Sequence, residues 1–81
     1  MRDEILKYRG MLAELERKNA ELDVIVSADI ASARNMLNPF EDDVTKLKTD
    51  QIVAITQRIH ANAGLMRETR IKIAEIKEML A

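Results

Sequence analysis

The chain has 81 residues, of which 47 % are hydrophobic and 33 % charged, and its formal net charge is −1. This length allows one domain, and so small a domain is only marginally stable unless disulfides, metals or partner chains support it. Cysteine is absent, which excludes disulfides and thiolate metal sites and leaves oligomerisation as the expected support.

The first predicted element is a helix over about residues 3–37. It begins with Asp3 and Glu4, where a secretory signal needs an apolar stretch, and no apolar run nears the roughly 20 residues that span a bilayer. We therefore expect a cytoplasmic protein that binds no membrane. Alternating steps of three and four residues select a mostly apolar row, as in a coiled-coil seam. The row is Ile5, Tyr8, Leu12, Leu15, Asn19, Leu22, Val26, Asp29, Ala33 and Met36.

The connection is predicted over about residues 38–49, because Asn38-Pro39 is the one strong helix breaker of the sequence. Proline lacks an amide hydrogen and pushes the residue before it out of the helical conformation. Asn38 is suited to cap one short helical turn that begins at Pro39. Thr49 or Asp50 is expected to cap the next helix.

Phe40 is the only phenylalanine of the chain, and it lies in this connection. We expect Phe40, Val44 and Leu47 to pin the connection onto the end of the helices. The alternative is that Phe40 contacts a partner, since connections often carry the residues that bind other molecules.

The second helix is predicted over about residues 50–80. The same steps of three and four again select a mostly apolar row. The row is Ile52, Ile55, Ile59, Asn62, Met66, Thr69, Ile73, Ile76 and Leu80.

The two helices are of similar length, about 50 Å each at 1.5 Å per residue, and a short connection between equal helices favours antiparallel packing. In that pairing Leu22 lies near Met66 and Asp29 lies near Arg58, so the two apolar rows meet in register. The predicted fold class is all-α, with residues 1–81 forming a single domain that is an antiparallel two-helix coiled-coil hairpin.

Four polar residues occupy seam positions. A buried polar group in a coiled coil costs stability but can fix the register or the number of chains. Asn19 and Thr69 fall at one level and are expected to hydrogen-bond, while Asp29 is expected to pair with Arg58. The alternative is that these residues line a polar pocket inside a bundle. The four are Asn19, Asp29, Asn62 and Thr69.

More apolar residues are present than one seam needs. Met11, Ile25, Leu65 and Met79 each stand one position before a seam residue, on a shared flank. A widened apolar stripe is typical of a helix that touches two neighbours. We therefore expect two hairpins to pair into a four-helix bundle, a homodimer whose interface is this flank.

The sequence favours no catalytic residue, cofactor or metal. His60 is the single histidine and has no acid at ligand spacing, whereas a metal needs three or four converging ligands. Bases alternate with acids along the second helix, so no nucleic-acid footprint is expected. A compact, cysteine-free hairpin of this size also suits a phage or mobile-element protein.

The predicted function is that of a non-enzymatic structural or protein–protein interaction module, such as an adaptor, a spacer or a small chaperone. Two alternatives remain open. The chain is then either a partner-dependent subunit of a larger complex or, less favoured, a ligand-binding or enzymatic bundle.

Overall fold

Two long helices account for most of the chain in the computed structural model, which describes residues 2–81. Helix α1 spans Arg2–Leu37 and helix α2 spans Thr49–Leu80, with a single 3-10 turn at Val44–Lys46 between them. The predicted bounds of both helices, 3–37 and 50–80, are therefore confirmed to within one residue at each end.

Charged residues in the terminal turns stabilise the two ends of helix α1. Asp3 and Glu4 lie in the first turn of α1, and Arg34 lies in its last turn. Acids near a helix N-terminus and bases near its C-terminus oppose the helix dipole favourably. Helix α1 ends where Asn38 takes a φ of 28°, a left-handed conformation that stops the helix before Pro39.

The helices run antiparallel, as two ion pairs between them show. Arg58 on α2 binds Asp29 on α1 at 2.7 Å, and Lys77 lies 3.5 Å from Glu16. The later residue of α2 thus meets the earlier residue of α1. The predicted pairing of Asp29 with Arg58 is confirmed, and with it the register of the hairpin.

The predicted seam forms the contact between the helices. Apart from Ile5, which is exposed, each seam residue is buried or half-buried. Every buried residue among residues 2–81 belongs to this seam. These residues are Leu22, Asp29, Ala33, Ile55, Met66, Thr69 and Ile76.

The hairpin is a thin rod. It measures 63 × 16 × 14 Å, and its radius of gyration is 18.4 Å. A compact domain of this length would have a radius of gyration of about 12 Å. The rod is one helix thick, and none of its described side chains is below 2 % exposure. Its core is therefore a single seam with no second layer over it.

The connection departs from prediction at its apolar residues. Phe40 is 92 % exposed and Val44 is also exposed, while Leu47 is half-buried. The expectation that Phe40 and Val44 pin the connection onto the helices is wrong, because the end of a rod one layer thick offers no hollow for them.

The caps of the connection also differ from prediction. Asn38 closes a tight turn in which its carbonyl accepts the Glu41 N–H at 3.0 Å, and the helical turn comes later, capped by Asp43. Thr49 is the first residue of α2, preceded by Lys48, which makes no side-chain capping bond. The prediction that Thr49 or Asp50 caps α2 is therefore wrong.

Candidate functional site

An exposed row of apolar residues runs along one side of the rod. We call Met11, Ile25, Leu65 and Met79 the apolar flank. Each stands one position before a seam residue, and antiparallel pairing places those positions of both helices on the same side of the seam. All four side chains are substantially exposed in the single hairpin. The sequence-predicted interface residues thus form a surface that the chain itself leaves uncovered.

The flank widens into a groove near the chain termini. Met11 and Met79 lie together on its walls, and its volume is about 580 Å³. Glu14, Lys72 and Glu75 provide charged groups around it. We call this the terminal groove. Its lining is completed by Tyr8, Leu15 and Ile76.

The structure brings some predicted interface residues together and keeps others apart. Met11 and Met79 share the terminal groove, whereas Ile25 and Leu65 lie two heptads further along the flank. Sequence reasoning did not identify the groove itself. The available signal was that Met11 and Met79 fall at the same end of the rod once the antiparallel register is set.

The opposite side of the seam is more polar. Glu16 pairs with Lys77 across the helices at 3.5 Å, and Arg70 lies beside them. A groove of about 350 Å³ is found here, lined partly by Asn19. The half-buried Ile30 and the exposed Leu37 are apolar exceptions on this side. The two sides of the rod therefore differ, and the apolar flank is the side suited to burial against protein.

Asp29 and Arg58 form the most constrained polar contact between the helices. Arg58 donates two hydrogen bonds, Nε to Oδ2 at 2.8 Å and Nη2 to Oδ1 at 2.7 Å. The Asp29 side chain is only 10 % exposed, whereas that of Arg58 is 59 % exposed. The hydrogen bonds from Arg58 lower the pKa of Asp29, although burial acts to raise it. Asp29 is thus a charged seam residue whose two carboxylate oxygens both accept hydrogen bonds from Arg58.

The predicted hydrogen bond between Asn19 and Thr69 is wrong. The Thr69 hydroxyl donates instead to the Leu65 carbonyl of its own helix at 2.7 Å. Within residues 2–81, the buried Oδ1 of Asn19 has no hydrogen-bond partner. Asn62 is half-buried. The four polar seam residues do not converge on one cavity, since Asn19 lines the polar groove while Asp29 is held by Arg58.

The connection presents Phe40 on a preformed turn, which we call the loop tip together with Val44. The Asn38 Oδ1 accepts the Phe40 backbone N–H at 3.2 Å, which fixes the turn from inside. Asp43 accepts both the backbone N–H and the hydroxyl of Thr45, at 3.0 and 2.7 Å. These bonds stabilise the turn, and the aromatic ring stays exposed.

Metal and membrane features are not seen in the described part of the chain. Among residues 2–81, no three histidine, cysteine or acidic side chains stand close enough to hold a metal ion. Neither of the two described helices contains an apolar stretch that would cross a bilayer.

No protein-family model, curated protein or solved structure matches the chain.

Proposed function

We propose that this chain is a non-enzymatic structural and interaction module that works as a homodimer, two hairpins packing their apolar flanks together into a four-helix bundle. The observation that carries the proposal is the apolar flank on a rod only one helix thick. Helical domains bury an apolar stripe against a second layer, and residues 2–81 supply none of their own.

A second copy is suited to be that layer. The net charge of −1 gives two copies little reason to repel each other. A flank that carries apolar residues from both helices matches itself under twofold symmetry. The resulting rod holds its two ends about 60 Å apart, which fits a spacer or an adaptor that joins other proteins.

Sedimentation equilibrium with circular dichroism at the same concentrations tests the proposal. We expect a helical species of twice the chain mass of 9.2 kDa at tens of micromolar. Ile25→Glu, on the flank, should shift it to the monomer, because a carboxylate in an apolar interface is strongly unfavourable. Val53→Glu is the matched control, since Val53 is exposed but lies off the flank. A helical wild-type monomer would contradict the proposal.

A second candidate function is that of a subunit whose flank is covered by a different protein. The exposed Phe40 favours it, because an aromatic ring in water on a rigid turn is a common anchor in heteromeric interfaces. A subunit that needs a different protein to cover its flank would, when purified by itself, melt broadly or precipitate. The homodimer should melt cooperatively.

A further inference from the structure

We propose that the two hairpins pair antiparallel about a twofold axis at Ile25, so that the loop tip of each copy enters the terminal groove of the other. The inference rests on the proposed function and adds the geometry of the pairing. It identifies the occupant of the terminal groove as Phe40 of a second copy.

The exposed apolar residues on either side of Ile25 are similarly spaced. Met11 precedes Ile25 by two heptads, roughly 21 Å at 1.5 Å per residue. Leu37, the last residue of α1, follows Ile25 by about 18 Å, and Phe40 stands three residues beyond it in the turn. In a twofold interface, a residue that contacts a second residue of the partner is itself contacted in return. An axis at Ile25 therefore places Phe40 of each copy over Met11 of the other.

Helix α2 has the same symmetry. The Asp29–Arg58 pair sets the register, so the level of Ile25 on α2 is near Asn62. Met79 lies about 25 Å from Asn62 towards one end of the rod, and Val44, in the connection before Thr49, lies towards the other end. The same axis thus brings Val44 to Met79, and both exposed residues of the loop tip meet methionines of the groove.

Lysines on the flank disfavour an antiparallel alignment centred on them. Lys18 and Lys72 lie between the two apolar ends of the flank. An antiparallel pairing centred on these lysines would set each against its own copy, and like charges in direct opposition are unfavourable. With the axis at Ile25, Lys18 faces Ser32 and Lys72 faces Gln51 of the second copy.

The overlap is large enough for a stable dimer. It extends from Met11 to Phe40, about 43 Å at 1.5 Å per residue, on a rod 16 Å wide. That footprint is roughly 700 Å² on each copy, or about 1,400 Å² in total, within the range of specific protein interfaces. The turn that holds Phe40 is already formed, so docking it costs little conformational entropy.

Single-cysteine variants test the axis, since the chain has no cysteine of its own. We expect Ile25→Cys to be joined to a second copy by a short bismaleimide, because the residue faces its own copy across the axis. Val24→Cys, exposed and one residue away on the outer face, is the control and should stay uncoupled.

Mixed variants separate this pairing from a parallel one. Lys18→Cys mixed with Ser32→Cys should form the crosslinked heterodimer, whereas Lys18→Cys mixed with Lys72→Cys should not. The reverse result, or no coupling through Ile25→Cys, would overturn the antiparallel axis while a dimer mass in sedimentation still supports the proposed function. A wild-type monomer would remove both.

Phe40→Ala tests the occupant of the groove. We expect the dimer dissociation constant to rise at least about tenfold in sedimentation equilibrium, as for an aromatic anchor that leaves its pocket. Leu37→Ala, an exposed apolar residue beside the tip on the other side of the rod, should change it less than about twofold. An unchanged constant for Phe40→Ala would show that the loop tip does not enter the groove.

Discussion

Asp29 is the one buried charged residue among residues 2–81, and the Arg58 guanidinium holds its carboxylate. We expect Asp29→Asn to lower the melting temperature at neutral pH, since a neutral amide accepts weaker hydrogen bonds from a guanidinium. The exposed Asp23→Asn, on the same helix, is the control. Thermal melts followed by circular dichroism at fixed chain concentration measure the effect.

The pH dependence of that effect has a defined sign. The folded-state pKa of Asp29 lies below its ordinary value of 3.8. The charged pair therefore contributes a stability that is complete above the ordinary pKa and is lost as the pH falls through the lowered one. The difference in melting temperature between wild type and Asp29→Asn should be constant near neutrality and disappear in acid. A difference that persists unchanged in strong acid would mean that the charge of Asp29 is not its cause.

Individual residue pairs were predictable from the sequence where the register alone decides them. Asp29 and Arg58 meet because the register sets them at one level and the long Arg58 side chain reaches across the seam to the carboxylate. Asn19 and Thr69 share a level but do not bond, because a threonine hydroxyl inside a helix readily donates to the carbonyl four residues earlier. Sequence spacing gives the level of a side chain, and its local backbone decides which partner it takes.

Gly10 limits the stability of α1. It lies in the interior of the helix on the exposed side, and a Cβ built there meets nothing within 4 Å. Gly10→Ala should raise the free energy of unfolding by about 1 kcal/mol, because alanine loses less backbone entropy in a helix. Ala13→Gly, also exposed on α1, is the reverse control and should lower it by a similar amount. Urea unfolding at one chain concentration measures both, and a Gly10→Ala variant no more stable than wild type would contradict the prediction.

The helices and their seam were predictable because a period repeated over many turns outweighs any single residue. The conformation of the connection was not predictable, because it depends on a few local hydrogen bonds. Asp43 starts a 3-10 turn by accepting from Thr45, and Asn38 adopts a left-handed conformation that few residues tolerate. Phe40 is exposed because the whole rod is only one layer thick. The residues of the connection alone do not indicate that thickness.

The whole molecule buries little for its length, and this ties its folding to its assembly. A single seam between two helices leaves the flank and the loop tip in water, with no described side chain below 2 % exposure. A hairpin of this kind gains its second apolar layer only when it meets another chain. Burying the flank in a dimer would therefore stabilise each helix as well as join the copies, and the folded monomer would be the less stable state.

Coupled folding and assembly predicts a melting temperature that depends on chain concentration. For a dimer of this size, the wild-type value should rise by about 5 °C for each tenfold increase in concentration, given the usual unfolding enthalpy per residue. Ile25→Glu, at the proposed axis, should abolish the rise and lower helicity at micromolar concentration, whereas Val24→Glu on the outer face should keep it. A wild-type melting temperature independent of concentration would mean that the seam alone holds the hairpin together, and the apolar flank would then have to be explained by a different protein.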